Sequence, residues 1–148
     1  MKENLMNLYV TDVEKVISEI EQYKSDEDFW SVSEGISNSG GTLALHLIGN
    51  LKHYIGAVLG ETGYVRTRDN EFSDRGVSRG EIVGQLKNVI EMLKDSFASL
   101  SDEDLMKEYP EELGDQPQTT AAVVVYMLTH LNFHLGQMNY HRRLLAGK

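Results

Sequence analysis

The sequence predicts an all-α protein, a four-helix bundle, and three observations carry that prediction. Only two prolines occur among the 148 residues, Pro110 and Pro117, and both lie in one short region, so long stretches are free to be helical. Four segments place apolar residues at three- and four-residue steps. No convincing run alternates with the period of two that marks a strand. Four amphipathic helices without strands bury their stripes most simply against one another. The length suits one domain, residues 1–148, and is enough to sustain a core without covalent staples.

The first helix is expected over about Leu5 to Tyr23, where Leu5, Leu8, Tyr9, Val13, Val16, Ile17 and Ile20 form one apolar face. Ser25-Asp26-Glu27-Asp28 ends the pattern. Phe29 and Trp30 are expected to fold back onto the bundle end, and the glycine- and serine-rich stretch to Gly41 cannot continue a helix cheaply. The second helix starts after Thr42 as N-cap, carries Leu43, Leu47, Leu51, Tyr54, Ile55 and Val58, and stops near Gly60. Residues 61–77 mix glycines, arginines and acids and read as one long loop; loops of that length are often functional.

Ser78-Arg79-Gly80-Glu81 has the spacing of a capping box, and the third helix follows through Ile82, Val83, Leu86, Val89, Ile90, Leu93 and Phe97. Ser101 to Lys107 has room for one helical turn, and Pro110 and Pro117 bound a polar link. The fourth helix begins near Thr119 or Thr120 and runs to about Leu145. Its first half, Ala121 to Leu128, is apolar nearly all round, as a deeply buried helix would be. The first two links are long enough for helices to cross the bundle end, so sequential up-and-down order is not forced.

Composition excludes several classes of function. There are no cysteines, hence no disulfide, thiolate ligand or cysteine nucleophile. The formal net charge is −9, and so acidic a surface repels phosphate backbones, which speaks against nucleic acid as a partner. No run reaches the ~18 apolar residues of a membrane span, and the first residues lack a signal-peptide core. A cytoplasmic protein without membrane contact is expected.

The chemistry lies in the histidines. There are five, His46, His53, His130, His134 and His141, and all fall on the second and fourth helices. His130 and His134 stand one turn apart on the same face, the spacing at which two imidazoles share an ion in helical zinc sites. The alternative is a pair of core-rim histidines bonded to backbone or water. Their apolar neighbours Leu128, Leu131 and Leu135 mean that two neutral rings there need partners. His46, flanked by leucines, would alone read as a satisfied core residue; across the bundle from the pair it becomes the natural third ligand.

His53, about two turns past His46, is too far along the helix to share that ion and reads as surface or substrate contact. His141 reads as surface, in the basic helix end with Arg142 and Arg143. Asn50, one turn beyond His46, and Gln137, about two turns past His130, are candidates for positions behind the ligands or against a substrate; the alternative for Asn50 is a helix-surface amide. Gly136 would allow close helix packing. Arg66, Arg68 and Arg75 either bind an anionic substrate group or pair with Asp69, Glu71 and Asp74 on the surface. Tyr64 and Trp30 are pocket-wall candidates, with ordinary packing as the alternative.

Gly40-Gly41-Thr42-Leu43-Ala44-Leu45-His46-Leu47-Ile48-Gly49-Asn50-Leu51 resembles the second-helix motif of the DinB-like (YfiT-like) superfamily. His130-Leu131-Asn132-Phe133-His134-Leu135-Gly136-Gln137 resembles that family's fourth-helix H-x-x-x-H-x-G-Q motif. The resemblance spans essentially the whole chain. It implies a four-helix bundle of up-down-down-up order whose three histidines, here His46, His130 and His134, hold a divalent metal ion, commonly zinc or nickel. It also implies a metal-dependent transferase or isomerase acting on a small molecule, with a low-molecular-weight thiol such as bacillithiol or mycothiol as co-substrate; a water activated by the ion in place of the thiol would make a hydrolase. A non-catalytic metal or small-ligand binding protein is the alternative on the same scaffold. An apolar stripe left exposed on one helix would support a homodimer.

Overall fold

Periodic apolar faces do become helices. A computed structural model describes residues 1–147. Its helices are α1 (Lys2–Glu21), α2 (Asp26–Trp30), α3 (Gly40–Leu51), α4 (Arg68–Ser73), α5 (Arg79–Ala98) and α6 (Thr120–Ala146). A π-helical segment, Lys52–Ala57, extends α3, and a 3₁₀ turn, Asp104–Met106, precedes the final link. Among the described residues there is no strand, only an isolated bridge between Glu108 and Thr119. None of the described helices is long and apolar enough to cross a membrane.

Four long helices form the bundle. Its directions follow from contacts at matching heights. Tyr9 donates its hydroxyl to the carbonyl of Val124, and Asn139 and Arg142 reach Glu19, so α1 and α6 run the same way. Tyr9 stacks on Phe97, and Arg79 reaches the carbonyl of Tyr23, so α5 runs opposite to α1. On α3, His46 meets His130, while Tyr54 and Met127 line one cavity, so α3 runs opposite to α6. The order is up-down-down-up. α1 packs on α5 and α6, and α3 packs on the same two. The core between them holds Tyr9, Val13, Ile20, Leu47, Leu51, Ile82, Leu86, Leu93 and Leu131, all essentially inaccessible to solvent.

The ends of the helices are capped as their residues allow. The Ser78 side chain accepts from the backbone N–H of Glu81, and Thr119 caps α6 through the N–H of Ala122. At α3 the cap is Ser39, which accepts from the N–H of Thr42, rather than Thr42 itself. Gly40 and Gly41 therefore belong to the helix. The reason is contact: a Cβ on Gly41 would lie 2.5 Å from the Trp30 ring. Trp30 is fixed there by its indole N–H, which donates to the carbonyl of Val77, and Phe29 is fully buried against Tyr23.

Two further expectations change. Residues 61–77 are not loop throughout, because α4 forms within them. The first half of α6 is not buried all round: Val123, Val124 and Met127 face the core, whereas Val125 and Tyr126 face solvent.

Candidate metal centre

α3 and α6 run antiparallel side by side, and that arrangement brings one histidine of the first to two of the second. The Nε2 of His46 lies 3.1 Å from the Nε2 of His130, which lies 3.0 Å from the Nε2 of His134. One ligand atom from each falls within 4.8 Å of the other two. His46 is buried, and His130 and His134 are half-buried.

The far sides of the rings decide what the near sides can do. His46 donates from Nδ1 to the Glu71 carboxylate at 3.0 Å. His134 donates from Nδ1 to Oε1 of Gln137 at 2.7 Å. A neutral imidazole that donates from Nδ1 presents a lone pair at Nε2. Two of the three converging nitrogens are thus acceptors, and His130 has at most one proton to offer between them. At least one close nitrogen–nitrogen contact is lone pair against lone pair. A cation at the shared point removes that conflict. A tetrahedral zinc with bonds of ~2.0–2.1 Å spaces its ligand nitrogens by about 3.3 Å, so the two short contacts of His130 need to open by only a few tenths of an ångström. The donor set therefore fits a divalent metal.

Electrostatics favour neutral rings. Burial pushes the His46 imidazole below its usual value, opposed by the bond to Glu71 and helped by the neighbouring His134 ring. Burial, with His134 and His46 nearby, brings His130 down to about 4. Neutral imidazole is the form that ligates.

Glu71 is the residue that sequence reasoning missed. It is buried, and Arg66 grips it through two parallel bonds of 2.8 Å, Nε to Oε2 and Nη2 to Oε1. Arg66 and Glu71 are therefore no surface pair. The carboxylate lies where a methyl on Gly49 would collide with it, so Gly49 lets the α4 segment press Glu71 against α3. Phe72, the next residue, packs its ring 5.0 Å from that of His46. On the other side Phe133 lies 5.3 Å from His134. Arg68 sits over the Phe72 ring, an exposed cation at the rim of the site.

The remaining candidates divide. Asn50 is buried rather than a surface amide, and its Oδ1 has no partner; neither has Nδ1 of His130. Gln137 stands behind the triad, holding His134. His53 does not join the cluster, because its Nε2 pairs with Glu111 at 2.9 Å. His141 is not on the surface: it is buried, donates from Nε2 to the Ser31 carbonyl and accepts at Nδ1 from the Tyr23 hydroxyl. Arg75 bonds backbone carbonyls of its own loop. Tyr64 lies beside Lys52.

The helical bundle of up-down-down-up order has a DinB-like fold. A crystal structure of a DinB-like protein from Bacillus cereus superposes with a TM-score of 0.74 at 19% identity, covering 97% of this chain and 92% of that one. The sequence matches the DUF1572 family, described as a protein of unknown function, over residues 3–148, and the chain belongs to that family. No curated protein matches it.

Proposed function

We propose that the protein is a metal-dependent enzyme, a transferase or hydrolase, that holds one zinc or nickel ion on His46, His130 and His134 and acts on a small molecule with a low-molecular-weight thiol or water as nucleophile. The observation that carries this reading is the convergence of three Nε2 atoms, with the rings of His46 and His134 fixed from behind. A three-histidine donor set leaves coordination positions open, as catalytic sites do and closed structural sites do not. A bound divalent ion supplies Lewis acidity, which lowers the pKa of a thiol or water so that its anion exists near neutral pH.

The chain's own residues do the rest. Glu71 fixes the tautomer and orientation of His46, and Gln137 those of His134. Arg66 balances the Glu71 charge, so the carboxylate remains a hydrogen-bond acceptor for His46. Phe72 packs beside His46, and Phe133 lies beside His134. Arg68 offers a positive charge at the rim, suited to a carboxylate on a small thiol. A non-catalytic metal or ligand-binding role is the second reading. It is favoured by the engagement of Glu71 with both Arg66 and His46, with no carboxylate joining the triad among the described residues.

Metal-free protein refilled with zinc or nickel is expected to bind about one ion per chain, and His134→Ala to lose it. Retained stoichiometry in that variant, measured by elemental analysis, would count against the centre. Turnover of an electrophile with bacillithiol, glutathione or water separates the enzyme from the binding protein.

A further inference from the structure

α6 carries a second pattern that its own bundle does not use. Ala122, Tyr126, Thr129, Phe133, Gly136 and Tyr140 follow one another at alternating steps of four and three, and all are exposed. That is the seam spacing of two helices that wind around each other. The large apolar members are far from buried, with Tyr126 at 65%, Phe133 at 63%, Tyr140 at 67% and Leu144 beside them at 65%. A Cβ added at Gly136 would meet nothing within 4 Å in the chain, so intrachain packing does not ask for a glycine there.

We propose that this stripe is where two copies of the chain meet, paired antiparallel along α6 about a two-fold axis at Phe133. Charge singles out a second copy. Of the chain's 23 acids none falls within Thr120–Ala146. Two molecules of formal charge −9 repel each other, and this face brings no acid of either helix into the contact. The ends are complementary as well. Arg143 is exposed near the end of α6, while Glu111, Glu112 and Asp115 are exposed on the link whose Leu113 and Gly114 border the helix start. Antiparallel pairing carries each Arg143 to the other copy's acidic link. Parallel pairing would set arginine on arginine and link on link.

Shape agrees with the same operation. A cavity of about 630 Å³ opens beside the first half of α6, between Leu113 and Tyr126, and a groove of about 380 Å³ beside the second half, between Leu43 and Leu144. Rotation about Phe133 lays Tyr140 and Leu144 of one copy over the cavity of the other, and Tyr126 over the groove. Tyr126, Tyr140 and Leu144 thus each face a hollow, twice over, as an isologous contact requires. Thr129 and Gly136, small residues near the axis, let the backbones approach.

The test uses the full chain and needs no ligand. Sedimentation equilibrium should give twice the 16.7 kDa chain mass, and Tyr126→Glu with Tyr140→Glu should give the chain mass with unchanged circular dichroism. Because the chain has no cysteine, single introduced thiols report geometry even if the double variant fails to fold. Phe133→Cys should cross-link to itself on oxidation. Tyr126→Cys mixed with Tyr140→Cys should give the mixed dimer rather than either self-dimer. A native chain that stays monomeric, a dimer that survives both glutamates, or self-linked Tyr126→Cys chains would each overturn the proposal. The first of these would leave the stripe to a different protein.

Discussion

Glu71 shows how a single residue can be invisible in sequence and central in structure. It lies among Arg66, Arg68, Asp69 and Asp74, a mixture that reads as solvated surface pairs. What buries it is the methyl-free surface of Gly49, a packing fact that no local pattern announces. His46, by contrast, was legible: a polar ring among leucines must find partners, and its two natural partners lay one turn apart on another helix. Glu71→Gln keeps the shape and an acceptor oxygen but removes the charge, and metal affinity should fall by about 10–100-fold, as for other partners behind metal-binding histidines. Competition with a chelator measures this, and an unchanged affinity would remove Glu71 from the centre. Arg66→Ala leaves that carboxylate buried without its cation, a change that costs roughly 3–5 kcal/mol in comparable pairs. A lowered melting temperature in metal-free protein is the readout.

Protonation belongs to the same scale. His130 titrates at about 4, and burial holds His46 and His141 below their ordinary value. In the unfolded chain all three take up protons near pH 6.5. Below that pH the unfolded state binds more protons than the folded one, so stability is complete above about 6.5 and falls as pH drops toward 4. The metal-free protein should melt at a lower temperature at pH 5 than at pH 7.5. Equal melting temperatures would mean that these rings are not held neutral.

At the scale of elements, periodicity located all four long helices within a few residues, because each has one face to bury. It failed where contact overrides local preference. Gly40 and Gly41 read as helix breakers, yet they open α3, since Tyr23 and Phe29 fill the space beside Gly40 and Trp30 the space beside Gly41. α4 escaped notice because six residues give too few turns for a pattern. The apolar start of α6 read as burial all round, although half of it faces outward. Two substitutions on α3 separate its roles. Gly49→Ala should displace Glu71 and weaken metal binding while the helix persists, as a titration followed by circular dichroism would show. Gly41→Ala should leave metal binding intact and lower stability by about 1–3 kcal/mol, the usual cost of overpacking.

For the whole molecule, the decisive fact is the order of the helices. Long first and second links permit α1 and α3 to stand diagonally, which leaves α3 free to lie antiparallel beside α6. Residue types pointed to the three histidines, but only that topology brings them to one point, and the resemblance to DinB-like motifs, not the spacing, supplied it. An ion held there would tie two helices together. At a free concentration of 100 times its dissociation constant it should stabilise the fold by ~2.7 kcal/mol, or roughly 5–11 °C in melting temperature for a chain of this size. Calorimetry with and without zinc or nickel would show it, and no shift would speak against binding to the folded state.

The pairing of Trp30 with Gly41 has a practical consequence. The chain holds one tryptophan, its indole wedged against the start of α3 and tethered to Val77. His46 lies five residues further, roughly 7.5 Å along the axis. Native fluorescence therefore comes from one address, the strap over the bundle end. A red shift in emission will register that strap letting go, without any attached dye, and can be compared with loss of helicity to learn whether the two come apart together.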